Sequence, residues 1–384
     1  PDPLPLEGER EENGTDADGS TASLAALTGW PVVLVVDVRG QAASAAAVVQ
    51  GFARHRPGVT ITGVVFNRVG GPRHEAVLRA ALARHAPDVA VLGCLAADAR
   101  LALPSRHLGL VQAVEHPDLE AFLDAAAAVV AASVDVERLV ALSRPLRLSA
   151  EGLPATPLPP PGQRIAVARD QAFAFAYPAV LDGWRTAGAQ VSTFSPLADE
   201  PPPADADAVI LPGGYPELHA GRLAANGRFL AGLRAAAARG AAVLGECGGY
   251  MVLGRVLVDA AGTGHAMAGL LPLATSFASR RLHLGYRVAV LAGDGPLGGE
   301  GAAFRGHEFH YATILDEGGE DARPLFHISD AGGRSLGTAG LSRGRVAGSF
   351  IHLIDRHLID RHLIDRHLID RHLIDRHLID RWGP

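Results

Sequence analysis

Sulfur and aromatic rings are scarce in this sequence: 2 Cys and 2 Met stand among 384 residues, and Phe, Trp and Tyr together make up 5%. The two cysteines, Cys94 and Cys247, lie far apart without CxxC spacing. That excludes a disulfide framework and a cysteine-based zinc site, and it fits a reducing cytoplasm. Neither sign of charge dominates. A net charge of −6 argues against nucleic acid as a partner. No apolar run reaches membrane-spanning length, because Gly, Pro or charge breaks the longest ones, so no membrane partner is expected either. The acidic, polar start has no signal-peptide shape. One last absence concerns chemistry: the phosphate-loop pattern G-x-x-x-x-G-K-S/T occurs nowhere in the chain.

What is abundant is Ala, Gly and Pro, within a 48% hydrophobic content that can build two domains with proper cores. Residues 1–22 read as a disordered or residual segment, polar and rich in Pro and Glu. Apolar runs then alternate with helical stretches, with strands over 31–37, 59–67 and 89–95 and helices over 41–54, 72–85 and 119–133. A further alanine-rich helical stretch ends near Leu148. A proline-rich linker over 151–162 separates this first domain, 23–150, from a second over 163–355. There the pattern restarts, with strands over 164–168, 189–194, 208–211 and 241–244 and helices over 180–187 and 226–239. Such alternation implies parallel strands with right-handed crossovers, so the expected class is α/β with two doubly wound domains. From Leu270 to Ile351 the texture changes to shorter strands with Gly-rich turns.

From His352 the pentapeptide His-Leu-Ile-Asp-Arg repeats in tandem to Arg381. A five-residue period matches neither a helix nor a strand, so its Leu and Ile line no single face. His and Asp are metal-ligand types, but we read the tail, 356–384, as a tandem expansion forming an exposed helix or disorder. No metal-ligand set is assigned.

The chemistry centres on Gly245-Glu246-Cys247-Gly248-Gly249, placed between a short apolar strand and helix-compatible residues from Tyr250 to Val258. This is the G-x-nucleophile-x-G elbow with cysteine in the nucleophile's place. Glycines flank the nucleophile because the strained turn leaves no room for a neighbouring Cβ, and the following helix N-terminus favours the thiolate. A small apolar cysteine beside glycines is the plainer alternative. Gly213 and Gly214, after another buried strand, offer N–H groups that with Gly248 would hold the oxyanion of a tetrahedral intermediate. A histidine must take the thiol proton and later protonate ammonia. Spacing leaves His219, His265, His283, His307, His310, His327 and His352 open for that role.

Six motifs in order, Gly213-Gly-Tyr-Pro-Glu217, Leu244-Gly-Glu-Cys-Gly-Gly-Tyr-Met251, Met267-Ala-Gly-Leu-Leu-Pro272, Leu284-Gly-Tyr-Arg287, Arg305-Gly-His-Glu-Phe-His-Tyr311 and Gly348-Ser-Phe-Ile-His352, resemble the class I glutamine amidotransferase domain of the cobyrinate a,c-diamide synthases. The first domain continues the likeness through Pro31-Val-Val-Leu-Val-Val-Asp37, Gly63-Val-Val-Phe-Asn-Arg68 and Leu103-Pro-Ser-Arg-His-Leu-Gly-Leu110, which are similar to the synthetase domain of those enzymes and to dethiobiotin synthetase. The wording leans to the form acting on hydrogenobyrinate. The resemblance implies that His352 activates Cys247 as a dyad, since Ile354 stands where the wider class carries Glu. It further implies ATP and Mg²⁺, glutamine as ammonia donor, and amidation of the a and c acetate carboxylates of cobyrinate or hydrogenobyrinate. Asn67 and Asp37 are the expected nucleotide contacts, with a strand cap as the alternative for Asp37. Arg106 and His107 are expected at the substrate carboxylates. His307, Glu308 and His310 are expected at the domain junction or in structural hydrogen bonds. The resemblance leaves room for a homodimer.

The family opens with a strand and a phosphate loop that this chain does not contain, so the expectation is an N-terminally truncated, synthetase-deficient chain whose glutaminase half is intact. A glutaminase-only or non-synthetic module is the alternative reading, and cobyric acid synthase a lesser one.

Overall fold

A computed structural model describes residues 20–103, 105–106, 109–145 and 156–357. The HLIDR tail beyond His357, residues 1–19, His107 and residues 151–155 of the expected linker lie outside the described residues. The chain divides into two compact units, one up to Leu153 and one from Pro154.

The first unit begins with α1 (Thr21–Thr28), in a place where disorder is expected through residue 22. The signal was local: Ser20 accepts the Ser23 N–H at the helix start, and Gly29, with φ of 66°, closes its end on the Ala25 carbonyl. Strands β1 (Val32–Asp37), β2 (Ile61–Val69) and β3 (Ala90–Ala96) form a parallel sheet in that order, linked by α2 (Ala45–His55) and α3 (Pro72–His85). Alternation along the strands sends Val36, Val64 and Phe66 to one face, against Ala45, Ala46 and Val49 of α2 and Leu78 and Leu82 of α3. Val65 and Leu92 point to the other face and meet Val134 and Leu142. After β3 come a two-residue pair, β4 (Ser105–Arg106) and β5 (Gly109–Leu110), and then α4 (Leu119–Ser133) and α5 (Val136–Leu142). The helix expected over 119–133 is α4, α5 falls within the further helical stretch, and the expected end near Leu148 lies outside the described residues. Val134 leaves the helix to bridge Gly93, and Asp135 accepts the Arg138 N–H as the cap of a new helix.

The second unit starts with β6 (Arg164–Ala168), α6 (Pro178–Thr186), β7 (Gln190–Phe194), β8 (Ala208–Leu211), α7 (Ala220–Ala225), α8 (Gly227–Ala238), β9 (Ala242–Glu246) and α9 (Gly248–Leu253). There follow β10 (Val256–Val258), β11 (Gly264–Ala266), β12 (Leu273–Ser276), β13 (His283–Leu291), β14 (Ala303–His310), β15 (Thr313–Glu317), β16 (Arg323–Ser329), β17 (Ser335–Arg343), β18 (Val346–Ser349) and β19 (Ile351–Arg356). Ten strands make one sheet in the order β7-β6-β8-β9-β18-β17-β16-β13-β14-β19. Its first five are parallel, and the chain reverses direction of winding at β6, as in a doubly wound fold. The remaining five are antiparallel, and at 6 to 9 residues they are longer than the parallel strands, where shorter ones are expected after Leu270. A separate sheet, β11-β10-β12-β15, packs after the elbow helix.

The helix-compatible run from Tyr250 to Val258 proves shorter than its sequence allows. Gly254 ends α9 within 2.8 Å of the Leu273 carbonyl, measured from where its Cβ would stand, and Val256–Val258 then pairs as a strand with β12. β-branched valines favour that pleated setting.

Candidate active site

Strand β9 delivers Cys247 at the head of α9 with φ of 49° and ψ of −104°, a conformation that side chains rarely adopt. The neighbourhood explains the glycines. A Cβ on Gly249 would stand 1.8 Å from the Leu211 carbonyl oxygen, and one on Gly245 would stand 2.7 Å from the Gly249 carbonyl carbon. The Cys247 N–H is tied to the Ser349 carbonyl at 2.8 Å, which anchors the turn to β18.

Beside Cys247 lies the Gly213-Gly214 loop that ends β8. A Cβ on Gly213 would meet His352 Cε1 at 2.5 Å, His352 Nε2 at 3.3 Å and the Cys247 Cβ at 3.4 Å, so the histidine, the cysteine and this glycine share one small volume. A Cβ on Gly248 would meet the Gly214 nitrogen at 3.1 Å, so these two glycines pack against one another. Among the described residues the Gly214 N–H donates to no carbonyl, and the Gly248 N–H leans on the Cys247 sulfur. Gly213 has a different task. Its carbonyl accepts the Phe175 N–H at 3.0 Å, and its missing Cβ makes room for the imidazole.

Of the seven histidines that spacing leaves open, His352 is the one brought to Cys247. It is 3% exposed on β19, with its ring stacked on His307 at 4.9 Å and edge-on to Tyr177 at 6.1 Å. The Tyr177 hydroxyl and His307 Nε2 share a hydrogen bond. His310 stacks on Phe350 and bonds Glu308 Oε1 at 3.0 Å, while His265 pairs with Asp259 at 2.7 Å.

Electrostatics correct one expectation. The helix N-terminus is expected to favour the thiolate, yet burial, followed by the nearby Glu217 carboxyl, pushes the Cys247 thiol up to about 12. Only the Gly248 N–H opposes it, and α9 is a short helix whose dipole cannot offset full desolvation. Burial, then the charges of His307 and His310, pushes the His352 imidazole down to about 3. The resting pair is thus a neutral thiol beside a neutral imidazole, which suits a base that takes the proton only as the sulfur attacks.

Three participants were not foreseen in their roles: Glu246, Tyr177 and Arg287. Glu246 Oε2 lies 3.9 Å from His352 Nδ1, and its Oε1 accepts the Leu353 N–H at 3.2 Å. Burial pushes its carboxyl up to about 7. A charged residue closing a buried strand was the available signal. Arg287 holds Glu308 Oε2 through Nη2 at 2.7 Å. His283, Glu308 and His310 have ligand-type atoms within 4.8 Å of one another. Arg287 and His310 already occupy both Glu308 oxygens, His310 Nδ1 faces the Ala312 carbonyl, and His283 stacks on the His310 ring, so Glu308 and His310 are taken up by hydrogen bonds.

In the first unit, Asp37 and Asn67 are register partners at the carboxyl ends of β1 and β2. Asp37 is held by Arg39 and by Arg68, at 2.8 Å from the latter's Nη1, and Asn67 Oδ1 accepts the Arg68 N–H at 2.9 Å. Two guanidiniums neutralise Asp37 as it stands, which does not fit a Mg²⁺ ligand. Arg106 lies in β4, paired with Gly109, and His107 is outside the described residues.

The CobB/CobQ-like glutamine amidotransferase domain matches residues 164–357. The hydrogenobyrinate a,c-diamide synthase of Brucella abortus biovar 1 (strain 9-941) is 56% identical over 347 residues, which cover 90% of this chain and 77% of the relative. The chain belongs to the hydrogenobyrinate a,c-diamide synthase family. The family member of Rhizobium meliloti (strain 1021) is 55% identical over 90% of this chain and 78% of its own. That of Rhodobacter capsulatus is 54% identical over 89% of this chain and 76% of its own. Among solved structures, PurLQS from Thermotoga maritima aligns over 51% of this chain and 87% of that chain, at 18% identity and a TM-score of 0.35. Among the described residues no helix is long and apolar enough to cross a membrane.

Proposed function

We propose that the second unit splits glutamine and that the ammonia amidates the a and c acetate carboxylates of hydrogenobyrinate, in cobalamin biosynthesis. The observation that carries the first half is the shared space at Gly213, where the missing Cβ lets the His352 ring and the Cys247 side chain meet. As Cys247 Sγ attacks the glutamine carboxamide carbon, its proton passes to His352 Nε2. The carbonyl oxygen takes the negative charge, facing the N–H groups of Gly214 and Gly248. When the C–N bond breaks, His352 returns the proton to the leaving nitrogen and ammonia departs. Water then cleaves the Cys247 thioester to glutamate. Gly213 acts in this reading by making room, whereas the donors are Gly214 and Gly248.

The second half rests on the name shared by relatives that match 90% of the chain, across both units. That breadth disfavours a glutaminase-only module and cobyric acid synthase alike. Ammonia does not displace hydroxide from a carboxylate unaided, and the family resemblance implies ATP with Mg²⁺ to supply the leaving group. Asp37 does not fit the metal as it stands, so no step is derived through that ion or the nucleotide. Asn67 remains the proposed nucleotide contact, with Arg106 and His107 proposed at the corrin carboxylates.

Replacing Cys247 by Ala tests the reading. Glutamine hydrolysis is expected to fall to background, as it should with His352→Ala. Glutamine hydrolysis at the wild-type rate in either variant refutes the assignment. Mass analysis of the corrin product, two amide exchanges against none, separates synthase from glutaminase.

A further inference from the structure

We propose that Glu246, the residue just before the nucleophile, is the acidic positioning residue of this site, taking the Nδ1–H of His352 so that Nε2 faces the thiol. The inference rests on Cys247 and His352 being nucleophile and base. A base histidine needs its distal nitrogen held, because that bond selects the tautomer and the ring's direction. In this chain the sequence position where such an acid is expected carries Ile354, an apolar side chain that is 41% exposed. It falls at an irregularity in the β14–β19 register, between Leu353, paired with Gly306, and Asp355, paired with Arg305. Asp355 is turned to the Arg305 side chain, with Nε at 2.9 Å from its Oδ1. Strand β19 therefore supplies no acid to its own histidine.

The neighbouring strand does. His352 Nδ1 is buried and has no hydrogen-bond partner among the described residues. Glu246 Oε2 is 3.9 Å away. Its other oxygen is anchored on the Leu353 N–H, one residue along from the histidine itself, which aims the carboxylate at the ring. Register explains the meeting: Glu246 pairs with Ser349 across β9 and β18, and the chain returns past it within three residues as β19. At 3.9 Å the contact is longer than a hydrogen bond, and a rotation of the carboxylate or one bridging water closes it. Catalytic hydrogen bonds are commonly long before substrate binds.

The other ionisable groups facing this pair do not compete. His307 on β14 stacks on the His352 ring and is bonded by Tyr177 at Nε2. Glu308 is occupied by Arg287 and His310. Glu217 acts on the Cys247 side. Burial raises the Glu246 carboxyl to about 7 and lowers the His352 ring to about 3, so a lone charge on either is unfavourable and a carboxylate–imidazolium pair relieves both.

The test is Glu246→Gln, which keeps the shape and the acceptor for Leu353 and removes the charge. Two quantities are read: glutamine hydrolysis, and the pH dependence of Cys247 alkylation by iodoacetamide, followed by mass spectrometry of its peptide. The expected results are a kcat about 100-fold lower with KM within about twofold, and an alkylation midpoint moved down, since the Glu246 charge is one of those that raise the Cys247 thiol. A merely structural glutamate would leave the alkylation midpoint where it is. Wild-type kcat with an unmoved midpoint overturns the proposal. If the Gln chain does not fold, Glu246→Asp carries the test. One methylene shorter, it widens the gap and is expected to slow hydrolysis about tenfold, and wild-type values in both readouts overturn the proposal. A wild-type protein that leaves glutamine intact refutes the functional reading, and the alkylation comparison still decides the part played by Glu246.

Discussion

The two compact units end their central strands differently. In the second, β8 and β9 run into glycines packed so closely that a Cβ at Gly249 would stand 1.8 Å from a backbone oxygen, and the groups that follow, Cys247 and His352, are almost wholly buried. In the first, β1 ends on Asp37, which faces two arginine side chains at the surface, and its register partner Asn67 near the end of β2 accepts the Arg68 N–H. The same strand-helix grammar thus serves two kinds of site. One is assembled by exclusion, with water removed and the protonation of each group set by burial. The other is assembled by exposed charge, with Asp37 paired to two guanidiniums in contact with water. The contrast predicts that substitutions in the second unit act through packing and desolvation, and those in the first through weak, solvent-screened pairs.

The largest expected effect comes from Gly249→Ala. Its Cβ would meet the Leu211 carbonyl, so the elbow must shift, at a cost of about 4 kcal/mol or more in chemical denaturation. A variant as stable as the wild type would break the claim that the elbow is shaped by exclusion.

Glu308 sharpens the comparison through pH. Burial alone would raise its carboxyl, but the hydrogen bond and charge of His310 and the Arg287 guanidinium outweigh it and hold it down at about 2, against an ordinary 4.5. A lowered carboxyl contributes stability that is complete above pH 4.5 and is lost as pH falls toward 2. Glu308→Gln is therefore expected to be about 2 kcal/mol less stable at neutral pH and to show a flatter acid limb between those values. Parallel stability curves for the two proteins would contradict the charge-paired state of Glu308.

Arg79→Ala marks the other end of the scale. Arg79 pairs with Glu75 one helical turn away on the exposed side of α3, at 2.7 Å. Its loss should cost about 0.3 kcal/mol, shrinking further in high salt, with glutamine hydrolysis unchanged. A loss above about 1 kcal/mol would show that the first unit also relies on its surface pairs.

Strand and helix positions were largely legible in the sequence, since buried parallel strands are continuous apolar runs and α3, α4, β6 and β8 start and stop at ordinary signals. The misreadings share a cause. Helix α1 and the early end of α9 each depend on one cap or one glycine, and a window of apolar periodicity averages such single residues away. At the candidate site, the strained turn at Cys247 and the glycine beside it, Gly248, were readable because an elbow is a local motif. The ionisation of Cys247 was not, because helix polarity is local and desolvation is not.

What the sequence by itself determined is the elbow around Cys247, its glycines and the family to which the chain belongs, all of which are carried by runs of contiguous residues. Which histidine reaches Cys247 followed from likeness and not from spacing, and the acid beside it was hidden by looking along β19. Only the tertiary structure set Glu246 against His352 Nδ1, because strand register joins residues more than a hundred apart, and only burial decided that thiol and imidazole rest uncharged.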